Sequence, residues 1–144
     1  MKYLVYILVI TALVLSCKTP ENTIAKNPVD EAIVANDTVR IANDEIEYEI
    51  IIIDPGFNTW LASTARPRGY YSQSFMENRN IQYVLAYNQR VLQPRVYDPM
   101  LYEWQIDYQQ GIDYGYEVNY LLYNYFIYFQ MKYKQQLTSW IPRI

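Results

Sequence analysis

Four carboxylates lie close together late in the chain: Glu103, Asp107, Asp113 and Glu117. Two carboxyl groups facing each other across a cleft can cleave a glycosidic bond, one as acid and the other as nucleophile or base. Here Glu103 and Asp107 alternate with aromatic and aliphatic residues, which puts them on the solvated face of a strand, and spacing alone makes no catalytic pair. Asp107 and Asp113 offer oxygen ligands for Ca²⁺, but the loop lacks the alternating acids of an EF-hand. A second cluster is basic. Arg66 and Arg68 stand before Gly69 and a helix start, where guanidinium and backbone N–H groups would suit a phosphate or carboxylate. The competing role for both arginines is pairing with Asp54 or Asp98 to pin loops, since no glycine pattern of a nucleotide site is present.

Composition narrows the chemistry further. The chain has 144 residues, net charge −3, one cysteine and no histidine. Without histidine there is no Ser-His-Asp or Cys-His nucleophile and no His-ligated metal. A lone cysteine permits neither an internal disulfide nor a multi-Cys zinc or iron–sulfur site. The acidic balance gives no general attraction to nucleic acid. We therefore expect a non-enzymatic protein with no cofactor, no metal and no nucleic-acid partner.

Tyrosine is the compositional excess, with seventeen in the chain. Each joins a large apolar ring to a hydroxyl that needs a partner or water. Most of the rings can serve as half-polar core. The sharper reading is an exposed platform for a partner protein or a sugar ring. Tyr70, Tyr71, Trp104, Tyr108, Tyr114 and Tyr116 flank loops or strand ends and are the candidate contacts.

The N-terminus carries an address. Lys2 supplies a positive charge, and Leu4 to Leu15 is apolar or aromatic except for Thr11. Twelve residues are short for a membrane span and suited to a secretory signal peptide. The segment ends in Val14-Leu15-Ser16-Cys17, which resembles a bacterial lipobox. That resemblance implies removal of residues 1–16 and a mature chain beginning at lipidated Cys17, anchored in a membrane. Several acyl chains hold stably, because each buried methylene adds about 0.8 kcal/mol. Lys18 follows Cys17 in place of the aspartate that retains many lipoproteins in the inner membrane, and no acidic run for surface export follows. The expected location is the outer membrane, facing the periplasm.

Residues 17–45 read as the lipidated Cys and a flexible tether. The stretch from Lys18 to Glu45 has no aromatic residue and no sustained period, so it buries too little apolar surface to offset its ordering entropy. As a coil its reach is roughly 30 Å. A short strand around Val39–Ile41 is the one ordered alternative. Residues 18–49 carry eight acids against three bases, so the acidity of the chain belongs mostly there. Asp37-Thr38-Val39 resembles a three-residue O-glycosylation acceptor, with plain linker as the alternative.

A single domain, residues 46–144, follows. Ile46 to Ile53 first alternates and then is apolar on both faces, as in a strand entering a covered sheet. Asp54-Pro55-Gly56 is a turn, and Phe57 to Thr64 a short helix turning Trp60 and Leu61 inward. Ser74-Phe75-Met76-Glu77 fits a capping box. In the helix it opens, Ile81, Val84, Leu85, Asn88 and Leu92 face inward, until Gln93-Pro94 ends it. Tyr102 to Tyr108 alternates as a half-buried strand. Tyr116 to Leu137 forms a helix apolar nearly all round, with Glu117, Asn124, Tyr128, Lys132 and Gln135 as a narrow polar wedge; it is either central in the core or covered by a partner. The fold class expected is α+β, with about three helices, a two- or three-stranded sheet and the C-terminal helix most buried. The two strands can pair in parallel through a crossover or antiparallel, and the tether can add a third.

Four segments together, DPGFNTWL (54–61), RPRGYYSQS (66–74), RVYDPMLYE (95–103) and IDYGYEVNYLLYNYFIYFQ (112–130), resemble an uncharacterised family of small Tyr-rich lipoproteins of flavobacterial-type bacteria, a domain of unknown function. The resemblance spans roughly residues 46–137. It implies an envelope lipoprotein with one small domain and carries over no site residue. The function expected is protein–protein interaction, or a structural part, in an outer-membrane or periplasmic assembly, using aromatic surface near the strand ends and the C-terminal helix. The alternative is cell-wall glycan or peptidoglycan binding by Tyr and Trp stacking.

Overall fold

The computed structural model describes residues 38–140 and 144, within a unit bounded by residues 32 and 144. The expected signal peptide of residues 1–16, the expected lipidation site Cys17 and the expected tether as far as residue 37 lie outside the described residues. In chain order the elements are strand β1 (Thr38–Asn43), a 3₁₀ turn (Asp44–Ile46), strand β2 (Tyr48–Ile53), and helices α1 (Phe57–Ser63), α2 (Gln73–Val91) and α3 (Gly115–Lys132). Among the described residues the fold is α+β, with three helices and a two-stranded antiparallel sheet, and its C-terminal helix is the most buried.

The strand pairing departs from the simplest reading. β1 lies in the stretch assigned to the tether, and it pairs with β2 from Thr38↔Ile53 to Asn43↔Tyr48. Ile41 is completely buried. This short segment holds as a strand because β2 supplies its ladder and the core takes Ile41. Side chains of β2 alternate, with Tyr48, Ile50 and Ile52 half-buried and Glu49, Ile51 and Ile53 exposed. The sheet is thus covered on one face only, not both.

The expected strand over Tyr102–Tyr108 does not form. Tyr102 and Tyr108 do point into the core, but Trp104 between them is exposed. The Asn88 side chain bonds the Ile106 backbone, so a helix side chain stands where a neighbouring strand would.

α2 is capped by Ser72, whose hydroxyl accepts from the Phe75 N–H; of the two serines that could open the helix, Ser72 and Ser74, the structure uses the first and not the capping box at Ser74. Its inward face is also rotated from expectation. Met76, Asn80, Tyr83, Val84 and Tyr87 are buried, whereas Leu85 and Leu92 are exposed. Rings carry more apolar area than leucine, and α3 presents aromatic partners at that face, so tyrosine wins the interior.

From Val118 to Gln130 every side chain of α3 except Leu121 is buried, including Asn124 and Tyr128 of the expected polar wedge. The enclosure comes from the chain itself. α2, β1 and α1 all pack on α3, and Phe57 meets Tyr125 edge-on. The helix stops at Lys132 rather than Leu137 because Lys134 takes a left-handed conformation and the Gln135 N–H donates back to the Gln130 carbonyl. That closure normally uses glycine, so the sequence hides it. The returning tail then buries Leu137, and the Trp140 indole N–H donates to the Tyr83 hydroxyl. At Gly56 (φ +95°) an added Cβ would come within 3.2 Å of the Tyr128 hydroxyl, so the turn into α1 needs glycine twice over.

Candidate functional site

Four strongly exposed apolar side chains gather around one edge of the sheet. β1 covers one edge of β2; along the other lies a groove of about 400 Å³. Its far wall is the irregular segment Met100–Asp107, and Tyr87, Tyr125, Phe129 and Tyr133 contribute to its base. Ile51 is 61 % exposed and Ile53 76 %, while across the groove Met100 is 78 % and Trp104 80 % exposed.

Several anchors hold that wall. Tyr102 is buried and its hydroxyl donates to Gln135 Oε1 at 2.9 Å, while Arg90 Nη1 donates to the same hydroxyl at 2.6 Å. Asn88 clamps Ile106, and the Asp98 carboxylate accepts from the Met100 N–H. Between the anchors at Tyr102 and Ile106, residues 103–105 donate no backbone hydrogen bond among the described residues.

Charge in the groove is one-sided. Glu49, Asp54, Glu103 and Asp107 line it, with no lysine or arginine among the lining residues. Glu49 is paired with Arg40, and buried Asp54 accepts from Lys132 Nζ at 2.6 Å and from the Tyr133 hydroxyl at 3.1 Å. Glu103 and Asp107 form no ion pair among the described residues. Burial alone would lower the Lys132 ammonium pKa; hydrogen bonds with Asp54, Tyr128 and Tyr133 outweigh it and hold the pKa above the ordinary lysine value. Burial pushes the Tyr87 phenol up to about 12, helped by Tyr102 and Glu103.

The residues singled out in the sequence separate into groups. Trp104 stands on the groove wall. Tyr108 and Tyr114, expected at the surface, are instead core rings stacked on each other at 4.5 Å, and Tyr114 is only 2 % exposed. Each loop-flanking ring finds an interior partner: the Tyr108 hydroxyl donates to Asn119, and the Tyr114 hydroxyl accepts from the Gln109 N–H. Tyr70 and Tyr71 lie before α2 with Arg66 and Arg68, and Tyr116 at the start of α3 reaches them, its hydroxyl accepting from the Gly69 N–H and donating to the Tyr71 carbonyl. Tyr70 is exposed, but its ring meets Tyr71 nearly at right angles, 82°. Arg68 binds both oxygens of Glu117 and lies over the Tyr120 ring, so its partner is neither Asp54 nor Asp98. Arg66 lies over Tyr70, and its carbonyl accepts from the Tyr120 hydroxyl. Thr38, the O-glycosylation candidate, is half-buried at the start of β1, opposite Ile53.

The four acids do not converge. Glu103 and Asp107 face the groove, Glu117 holds Arg68, and Asp113 accepts from the Gly115 N–H at the start of α3. Asp113 and Glu77 also share the Gln73 side-chain amide in a second, polar pocket. No group of three or more acidic, Cys or His residues suited to a metal ion occurs among the described residues. No helix among them is long and apolar enough to cross a membrane.

The Asp54–Lys132 pair and the Asn88 clamp were not singled out from sequence. The first joins residues far apart in the chain, and the second carries no local pattern. The four exposed Ile, Met and Trp positions were partly signalled, by the surplus of isoleucine on both faces of β2.

A family model described as a family of unknown function (DUF6146) matches residues 5–141, and the chain belongs to that family. No curated protein matches the chain. No solved structure matches it either.

Proposed function

We propose that this member of the family is a lipid-anchored envelope protein of flavobacterial-type bacteria, attached through Cys17 to the outer membrane and facing the periplasm. Its folded unit acts without catalysis, as a docking module for another envelope protein. The observation that carries the docking role is the groove beside β2, where Ile51, Ile53, Met100 and Trp104 leave their side chains largely in water. Exposed apolar residues gathered around a concavity mark interaction surface more often than chance exposure. The anchor rests on the lipobox and its lone cysteine.

Sugar stacking is the weaker reading. It needs coplanar exposed rings, whereas Tyr70 and Tyr71 are perpendicular and Trp104 makes no ring contact with another described residue. Most of the C-terminal helix is enclosed by its own chain, so the docking role is assigned to the groove.

A photo-crosslinking side chain at Trp104 in the intact lipoprotein, in living cells, tests the docking role. One stoichiometric envelope protein should be recovered. Recovery of cell-wall glycan, or of the chain alone, would overturn it. Labelled palmitate should enter the wild type and not Cys17→Ala; equal labelling would remove the anchor.

A further inference from the structure

Building on the docking role just proposed, we infer that the groove takes an extended segment of a partner protein, apolar at alternate positions and flanked by Lys or Arg, which adds as a strand to the free edge of β2. β2 is the second strand of a two-stranded sheet, so every other residue points its N–H and C=O away from β1. None of these backbone groups finds another partner among the described residues. Six residues at about 3.3 Å each make an edge of roughly 20 Å, enough to pair with a short strand.

Proteins usually protect such an edge with lysine, proline, a bulge or a covering segment. YEIIII has no lysine or proline, pairs with β1 without a bulge, and carries four consecutive isoleucines. The facing wall repeats the feature, since the N–H groups of residues 103–105 are also unpaired among the described residues. An incoming strand would present one set of side chains towards the rings of Tyr87, Tyr125 and Phe129. The other set would lie beside Ile51 and Ile53.

Charge selects the occupant. Glu103 and Asp107 remain without counter-ions on the wall, and no lining residue is basic. A second copy docking through its own β2 would bring another Glu103 and Asp107, also without ion pairs among the described residues, to the same groove and no basic flank to meet them. A strand with basic flanks meets complementary carboxylates instead.

The test uses the full chain in detergent and a blocked, fluorescent peptide, KVTVTVK. Saturable binding is expected. Methylating one alternate set of its backbone amides should weaken binding about tenfold, since two or three hydrogen bonds are lost. EVTVTVE should bind at least about tenfold more weakly, and Glu103→Gln with Asp107→Asn should narrow that gap about threefold to fivefold. Both substitutions are at exposed positions, so the fold is kept. No binding of KVTVTVK, or binding indifferent to both backbone methylation and charge, would overturn the strand. Concentration-dependent self-association abolished by Ile51→Thr, with no peptide binding, would replace it with a second copy. In cells, a crosslinker at Trp104 that captures a protein while one at Ile51 captures none would overturn the strand and spare the docking role. Capture at neither position would remove both.

Discussion

Asn88 holds Ile106 by both backbone groups: its amide nitrogen donates to the Ile106 carbonyl at 2.8 Å, and its oxygen accepts from the Ile106 N–H at 2.9 Å. A single side chain on α2 thereby does for the segment Met100–Asp107 what a sheet neighbour would do, and it fixes one wall of the groove. Asn88→Ala should lower stability by about 2 kcal/mol, the cost of leaving partly buried backbone groups unpaired. Hydrogen exchange at the Ile106 amide should accelerate before that of α3. Unchanged protection at Ile106 would mean that packing of Tyr102 and Tyr108 holds the wall without the clamp.

The Asp54–Lys132 pair ties the turn after β2 to the end of α3, and its two partners are unequally buried. The Asp54 side chain is almost fully covered, while Lys132 keeps about a third of its side chain in water. Lys132→Met strands a buried carboxylate and should cost about 3 kcal/mol. Asp54→Asn leaves an ammonium that can turn to solvent and should cost less. The double variant should be more stable than Lys132→Met alone. Urea titrations of the three proteins decide this, and the opposite ranking would refute the asymmetry.

Tyr48 makes the contrary prediction, a gain. Its hydroxyl is buried with no hydrogen-bond partner among the described residues, while the ring packs against Tyr114 at 4.3 Å. Tyr48→Phe keeps the ring contact and removes the unpaired oxygen, so stability should rise by about 1 kcal/mol. A loss on thermal or urea unfolding would show that this hydroxyl has a partner in solution.

Alkaline pH should unfold the protein. Burial raises the phenol pKa values of Tyr48, Tyr87, Tyr108, Tyr123 and Tyr125 above the ordinary tyrosine value, Tyr87 to about 12. The unfolded chain therefore releases protons first, and stability falls as pH rises from about 10. Lys132 acts in the same direction, because its raised pKa makes the folded state retain its proton longer. Below about pH 10 the contribution is fully present. Tyrosinate absorbance should appear together with loss of helical circular dichroism above that pH. Complete tyrosine titration near pH 10 with the fold intact would contradict the burial of these rings.

Much of the architecture is legible along the chain because it is local. The 57–63 helix follows from a Pro-Gly turn and a short apolar run, and α2 ends where proline forbids continuation. The near-continuous apolar circumference of α3 already requires enclosure. Other features resist local reading for identifiable reasons. The cap of α2 could fall on either of two serines, and its buried face turned towards rings because α3 supplies ring partners. Tyr114 sits next to a loop yet is core, since sequence position near a turn says nothing about which side of the backbone has a pocket waiting.

By itself the sequence determined the α+β class, the three helices, the dominance of the C-terminal helix and the absence of any histidine-based site. Those depend on composition and on periods of a few residues. Only the tertiary structure decided that Thr38–Asn43 pairs with β2, that Tyr102–Tyr108 is not a strand, and that the four acids part company. Each of these depends on groups brought together from distant points in the chain, Asn88 with Ile106, Arg68 with Glu117 and Asp54 with Lys132. Such contacts follow from the packing that brings the partners within hydrogen-bonding distance, and spacing along the backbone does not encode them.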